Sequence, residues 1–203
     1  MKSITWEILN RKLHIHLGLL TLIFIWLFSL SGLVLNHGEW KFASFWEERE
    51  ESKIDFTAPP DMLKNPAPEK DLMEFLKLSG ELQVTNRTLE RLEFRVHSPG
   101  FINDVHVDLA NGSASKKTIR FNAWGKFRTL HTFNGMNKKD LSQTPNWLIT
   151  NIWRFTMDGI AIALMIICVS SWVMWFKIRK EYKMGFVVLA SSCMMTLYFI
   201  FWS

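Results

Sequence analysis

Six histidines are the side chains of this 203-residue chain best suited to chemistry, and four of them border long apolar runs. His14 and His16 open the first run, His37 closes it, and His131 lies on the approach to the second. An ionisable side chain is costly inside a membrane, so it is a functional candidate by default. Imidazole is also a common axial ligand of a b-type haem held between helices. Such a haem needs two ligands on opposite faces of one iron. On a helix, residues 14 and 16 are about 200° apart and do not ligate one iron together. From His14 to His37 the helical rise is roughly 35 Å, the whole bilayer. His37 and His131 are then the pair that one chain can bring together on one side. His14 has no histidine opposite it, and an inner haem needs a ligand from a second copy or another subunit. Plainer roles stay open: His14 and His16 snorkelling beside Arg11 and Lys12, and His37 and His131 capping helix ends.

Arg154 and Asp158 are four residues apart and share a helix face. They read either as an interfacial ion pair or as a functional couple. In the second reading Arg154 neutralises a haem propionate or an anionic substrate, and Asp158 moves a proton near the outer surface. His97 and His106 fall on the polar faces of neighbouring strands, either exposed or sharing a metal ion. No nucleophile–base constellation appears: there is no G-x-S-x-G, H-E-x-x-H, C-x-x-C or P-loop. No catalytic residue is assigned. Glu47, Glu48, Glu50 and Glu51 read as a solvated helix face. Cys168 and Cys193 both fall within apolar runs and read as packing residues.

The elements that must position these groups follow from where charge is missing. No Asp, Glu, Lys or Arg occurs from Leu13 to Gly38, from Gly159 to Phe176, or from Met184 to Ser203. About 18 apolar residues suffice to cross a hydrocarbon core. That excludes a purely soluble and a disordered chain. The formal net charge is +5. Its excess sits in two short flanks, Lys2, Arg11 and Lys12 before the first run and Lys177, Arg179, Lys180 and Lys183 between the second and third. The central block is neutral and offers no basic face, so nucleic acid is not an expected partner. The positive-inside rule puts both flanks in the cytoplasm. The expected layout is a cytoplasmic stretch over 1–12, spans at 13–36, 148–176 and 184–203, an extracytoplasmic domain over 37–147 and a basic loop over 177–183. The first run is too long for a signal peptide and reads as an uncleaved anchor.

Between the spans, Trp40, Phe42, Phe45 and Trp46 suggest an aromatic collar, followed by a linker rich in proline from Pro59 to Pro68. Glu69 to Leu78 has helical spacing, ended by Gly80. A period of two then marks strands around Leu92–Val96, Val105–Leu109 and Thr118–Asn122, with turns at Ser98-Pro99-Gly100 and Asn111-Gly112. The expected fold is an α-helical membrane protein with three transmembrane helices and a small α+β extracytoplasmic domain.

Several segments resemble the PepSY-associated transmembrane helix family. Arg11 to Leu19 is similar to its R-x-L-H-x-x-L-G-L opening, and Ser31 to His37 resembles its S/T-G-x-x-L-N-H helix end. Leu130-His131-Thr132, Asp158 and Trp175-Phe176-Lys177 resemble its later L-H…D…W-x-K segment, and Asp108 to Gly112 its D-x-x-x-G hairpin. The resemblance implies a small, siderophore-reductase-like member in a bacterial inner membrane, with a PepSY-like domain in the periplasm. It implies haem b on His14, His37 and His131, with His16 a further candidate. It also implies iron uptake or electron transfer to a periplasmic ferric chelate, siderophore or flavoprotein. Ferric-siderophore reductase and electron-transfer subunit of an oxidoreductase are the enzyme classes that fit. Asn111 to Ser115 does not match a flavinylation motif, so flavin belongs to a partner. Inner-membrane lipids and a homo-oligomer or another membrane subunit complete the expected partners. The alternative is a membrane-anchored PepSY binding or regulatory module with no redox cofactor.

Overall fold

The structure is a computed structural model that describes residues 5–44, 46–136, 144–177 and 182–202. Lys2, Phe45, Arg179, Lys180 and Ser203 of the sequence reading lie outside the described residues.

Three helices are long and apolar enough to cross a membrane: α1 (Trp6–Asn36), α5 (Leu148–Trp175) and α6 (Tyr182–Trp202). The first begins ahead of the apolar run because Arg11 and Lys12 are good helix formers and continue the same backbone. Four further helices or turns and five strands lie between α1 and α5: a 3-10 turn at Lys41–Ala43, β1 (Glu50–Thr57), α2 (Pro60–Leu63), α3 (Pro68–Phe75), β2 (Glu81–Arg87), β3 (Arg91–Ser98), β4 (Phe101–Asp108), β5 (Ser113–Arg120) and α4 (Ala123–Thr132).

The chain divides into two compact units. One comprises residues 1–25 and 158–203. Here Asn10 Nδ2 donates to the Ser170 carbonyl at 3.3 Å, and Ser170 Oγ donates back to the Asn10 carbonyl at 3.4 Å. Both residues are buried, and reciprocal polar contacts of this kind join helices in an apolar surround. Glu7 near the start of α1 pairs with Lys177 just after α5. The indole of Trp175 packs directly on the backbone of Gly185 and edge-on to Phe186. Otherwise α6 is exposed along its length.

The other unit, residues 26–157, is a five-stranded antiparallel sheet in the order β1-β5-β4-β3-β2. Leu92, Phe94 and Val96 of β3 and Val105 and Val107 of β4 point to one face. There they are covered by Leu72 of α3 and its neighbours, which forms the core. The opposite face carries Glu93, Arg95, His97, Asp104 and His106. Pro99-Gly100 closes the β3–β4 hairpin, with Gly100 at φ +100°, and Asn111-Gly112 closes β4–β5, with Gly112 at φ +74°. Both turns need the positive φ that glycine adopts without strain.

Five local expectations are corrected. The sheet has five strands, not three, because β1 and β2 are edge strands with weak alternation. Glu50 and Glu51 lie in β1, not on a helix face. The proline-rich stretch starts two short helices, with Pro60 and Pro68 in the first turn, where a missing N–H costs nothing. Finally, α3 ends before Gly80. Lys77 adopts φ +52°, and Leu78 N donates to the Met73 carbonyl at 2.9 Å, closing the helix with a left-handed residue that is not glycine. β5 likewise stops at Arg120. Asn122 Oδ1 accepts from Gly125 N at 2.9 Å and starts α4 instead of continuing the strand.

Candidate functional site

His131 lies in the last turn of α4, and the local structure fixes its ring against α1. Phe28, Ser31 and Gly32 are three and four residues apart, so they share one face of α1. The His131 ring meets Phe28 edge-on at 5.0 Å and approaches Gly32, where a Cβ would lie 3.7 Å from Cε1. Phe28 also lies 6.4 Å from Trp153 in the first turns of α5. Ser31, 1% exposed, lies 2.6 Å from His131 Nδ1 and 3.2 Å from the Phe28 carbonyl. A hydroxyl has one proton, and a carbonyl only accepts. Ser31 therefore donates to Phe28 and accepts from His131 Nδ1–H. Among the described residues the His131 ring makes no other hydrogen bond.

The same logic applies at two other histidines. His37 Nδ1 lies 3.1 Å from the Glu39 carboxylate, and His16 Nδ1 lies 2.7 Å from the Lys12 carbonyl. Both acceptors lack a proton at neutral pH, so Nδ1 donates in each. Metal-bound imidazoles show this arrangement, one nitrogen on an oxygen acceptor and the other on the metal. The Glu39 carboxyl is held below the usual carboxylate range, first by a backbone N–H and then by His37. His14 differs: it is half-buried, and its Nδ1 is enclosed without a partner.

The structure does not bring His37 and His131 together. The His37 ring stacks flat on Trp40, 4.4 Å away with planes 5° apart, whereas His131 lies against Phe28 and Ser31. No hydrogen bond or ring contact joins the two histidines. As single axial ligands both fit a haem. Arg154 and Asp158 are exposed on α5, and neither takes part in an ion pair among the described residues. His97 faces Ile102 across the strands, and His106 faces Glu93. Their separation along β3 is therefore about 13 Å, four residues at roughly 3.3 Å each, which is too far to share one ion. His106 Nδ1 lies 3.5 Å from Glu93 instead. Among the described residues no cluster of three or more His, Cys, Asp or Glu can hold a metal ion.

Sequence reasoning missed the joint between sheet and helix. Glu81, the first residue of β2, is 1% exposed. Its carboxylate accepts from the backbone N–H of Asn146 and, at 3.2 Å, from that of Trp147, the two residues before α5. The Asn146 amide reads the β2 edge like an extra strand, donating to the Leu82 carbonyl at 2.8 Å and accepting from Leu82 N–H at 3.2 Å. Gly135 at φ +69° closes the joint. A Cβ there would lie 2.4 Å from Thr150 and 3.3 Å from Glu81. No sequence signal marked it, since Glu81 opens a strand of mixed polarity, Glu-Leu-Gln-Val-Thr-Asn-Arg.

No family model, no curated protein and no solved structure matches this chain. The PepSY resemblance thus rests on the short motifs alone.

Proposed function

We propose that the chain is an inner-membrane haem-b electron-transfer subunit that delivers electrons to a periplasmic acceptor, either a ferric chelate or siderophore or a flavoprotein. The observation that supports this is the arrangement of the histidines bordering the helices: His131, His37 and His16 each commit Nδ1 to an oxygen, which leaves Nε2 for a further partner. His131 is the best-held ligand, since Ser31 and Phe28 fix its ring from two sides. His37 or a histidine of a second subunit would supply the other ligand, and His14 would help hold an inner haem. A bound haem supplies one-electron chemistry at iron. Ser31 would orient His131, and Arg154 would offer a cation to a propionate; separately, Asp158 would accept a proton near the outer surface. Purified chain from cells supplied with haem should show a Soret band and an α band on reduction. A colourless preparation removes the proposal.

One observation favours a second reading, an anchored binding or regulatory module without a redox cofactor. It is the separate contacts of His37, with Glu39 and Trp40, and of His131, with Ser31 and Phe28. Deleting residues 40–145 discriminates the two. A module loses partner capture, whereas a haem protein keeps an inner cofactor signal.

A further inference from the structure

We infer that the cleft between the sheet and the end of α4 is a binding site for a molecule bearing a phosphate or carboxylate group on an apolar body. The cleft has a volume of about 430 Å³, within the range of sites for small organic ligands. Its two sides differ in chemistry. Gln83, Arg95 and Asn134 are polar, and Ile102, Phe133 and Met136 are apolar. Among the described residues no carboxylate lines it. Two acids that face its lining residues across the strands are already committed: Asp104 accepts from Arg95 Nε at 2.6 Å and Nη2 at 3.2 Å, and Glu81 holds Asn146 and Trp147.

What the lining still offers is mostly donors. The hydrogens of Arg95 Nη1 are uncommitted once Asp104 has taken Nε and Nη2. Asn134 Oδ1 accepts from Met136 N–H at 3.0 Å, which leaves the Asn134 NH2 uncommitted. Gln83 Nε2 makes only a long contact, 3.5 Å, to the Gly135 carbonyl. Asp104 also fixes the guanidinium in one geometry, so less side-chain entropy is lost when an anion engages it. His97 forms part of the wall, edge-on to Phe133 at 5.4 Å, and its buried Nδ1 has no partner. An enclosed nitrogen of this kind is normally satisfied by water or by a ligand. Oxyanion acceptors match the donors, and a hydrocarbon or aromatic portion matches Ile102, Phe133 and Met136. A soluble organic acid or phosphate ester carries this chemistry, and so does a phospholipid reaching the domain from the bilayer.

The test uses the full chain in nanodiscs and phenyl phosphate as the probe, with phenol and inorganic phosphate as controls, read by calorimetric titration. Phenyl phosphate should bind at one site at least tenfold tighter than either control. Arg95→Gln should weaken it at least tenfold. Thr132→Trp, at an exposed position on the rim of the cleft, should abolish it by filling the space. Both variants are first checked for native circular dichroism. Equal affinity for phenyl phosphate and phenol, or unchanged affinity in the folded Thr132→Trp protein, overturns the inference. Native mass spectrometry separates the two sources. A phospholipid adduct displaced by phenyl phosphate identifies a membrane ligand, and phenyl phosphate binding with no lipid adduct identifies a soluble one. Neither result depends on whether haem binds.

Discussion

Removing the Glu81 carboxylate should loosen the sheet from the start of α5. Glu81 is 1% exposed and accepts from two successive backbone N–H groups, those of Asn146 and Trp147. Truncation to alanine leaves both donors without their partner, and a donor left unsatisfied in a buried site costs about 1–3 kcal/mol. Asn146 is exposed, so water reaches part of the gap. The expected loss is therefore about 2–4 kcal/mol, toward the lower half of the summed range. Glu81→Gln keeps one acceptor oxygen and should cost about half as much, roughly 1–2 kcal/mol. At about 3 °C per kcal/mol for a chain of this size, the alanine variant should melt roughly 6–12 °C lower and the glutamine variant about 3–6 °C lower. Intrinsic fluorescence during heating in detergent is the assay, with Trp147 reporting from the joint itself. Asn146→Ala, which removes two hydrogen bonds to Leu82, should combine with Glu81→Ala less than additively, since the pair holds one segment. An alanine variant that melts within a degree of the parent would refute the joint.

Other consequences are smaller. Gly135→Ala should destabilise the same region, because the added Cβ would sit 2.4 Å from Thr150 at a backbone φ of +69°; a melting temperature equal to the parent's contradicts this. Lys77→Gly should stabilise the domain by about 0.5–1 kcal/mol, since Lys77 holds φ +52° at the end of α3, and chemical denaturation measures it. Burial, opposed by Glu81 and aided by Arg95, holds His97 below the ordinary imidazole range. The unfolded chain then takes up a proton at a higher pH than the native one. Stability is full above about pH 6.5 and falls as the pH drops from there through the native pKa. In His97→Gln that part of the acid dependence should vanish, and melting curves from pH 7.5 to 5 would show whether it does.

The membrane helices were legible because charge is absent over long windows, a signal that needs no tertiary context. The hairpins of β3, β4 and β5 were legible because Pro99-Gly100 and Asn111-Gly112 sit between alternating runs. β1 and β2 were not. Nearly every residue of β1 is exposed, so no alternation marks it, and β2 begins on a buried acid. The end of α3 was misplaced because Lys77 takes a conformation that sequence rules assign to Gly80. In the site, residue identity picked out His131 and His37, since imidazoles at the ends of apolar runs are conspicuous. Their hydrogen bonds were hidden, because Ser31 lies 100 residues from His131 in the chain. Glu81 gave no warning, since its value comes from two backbone amides 65 and 66 residues away.

The absorption spectrum of the intact chain, purified from cells supplied with haem, puts the electron-transfer account at most direct risk. The account predicts a Soret band, an α band that sharpens with dithionite, and loss of the outer haem signal in His131→Ala alone among folded alanine variants of His97, His106 and His131. A protein that carries no chromophore, or a spectrum unchanged by His131→Ala, would contradict it.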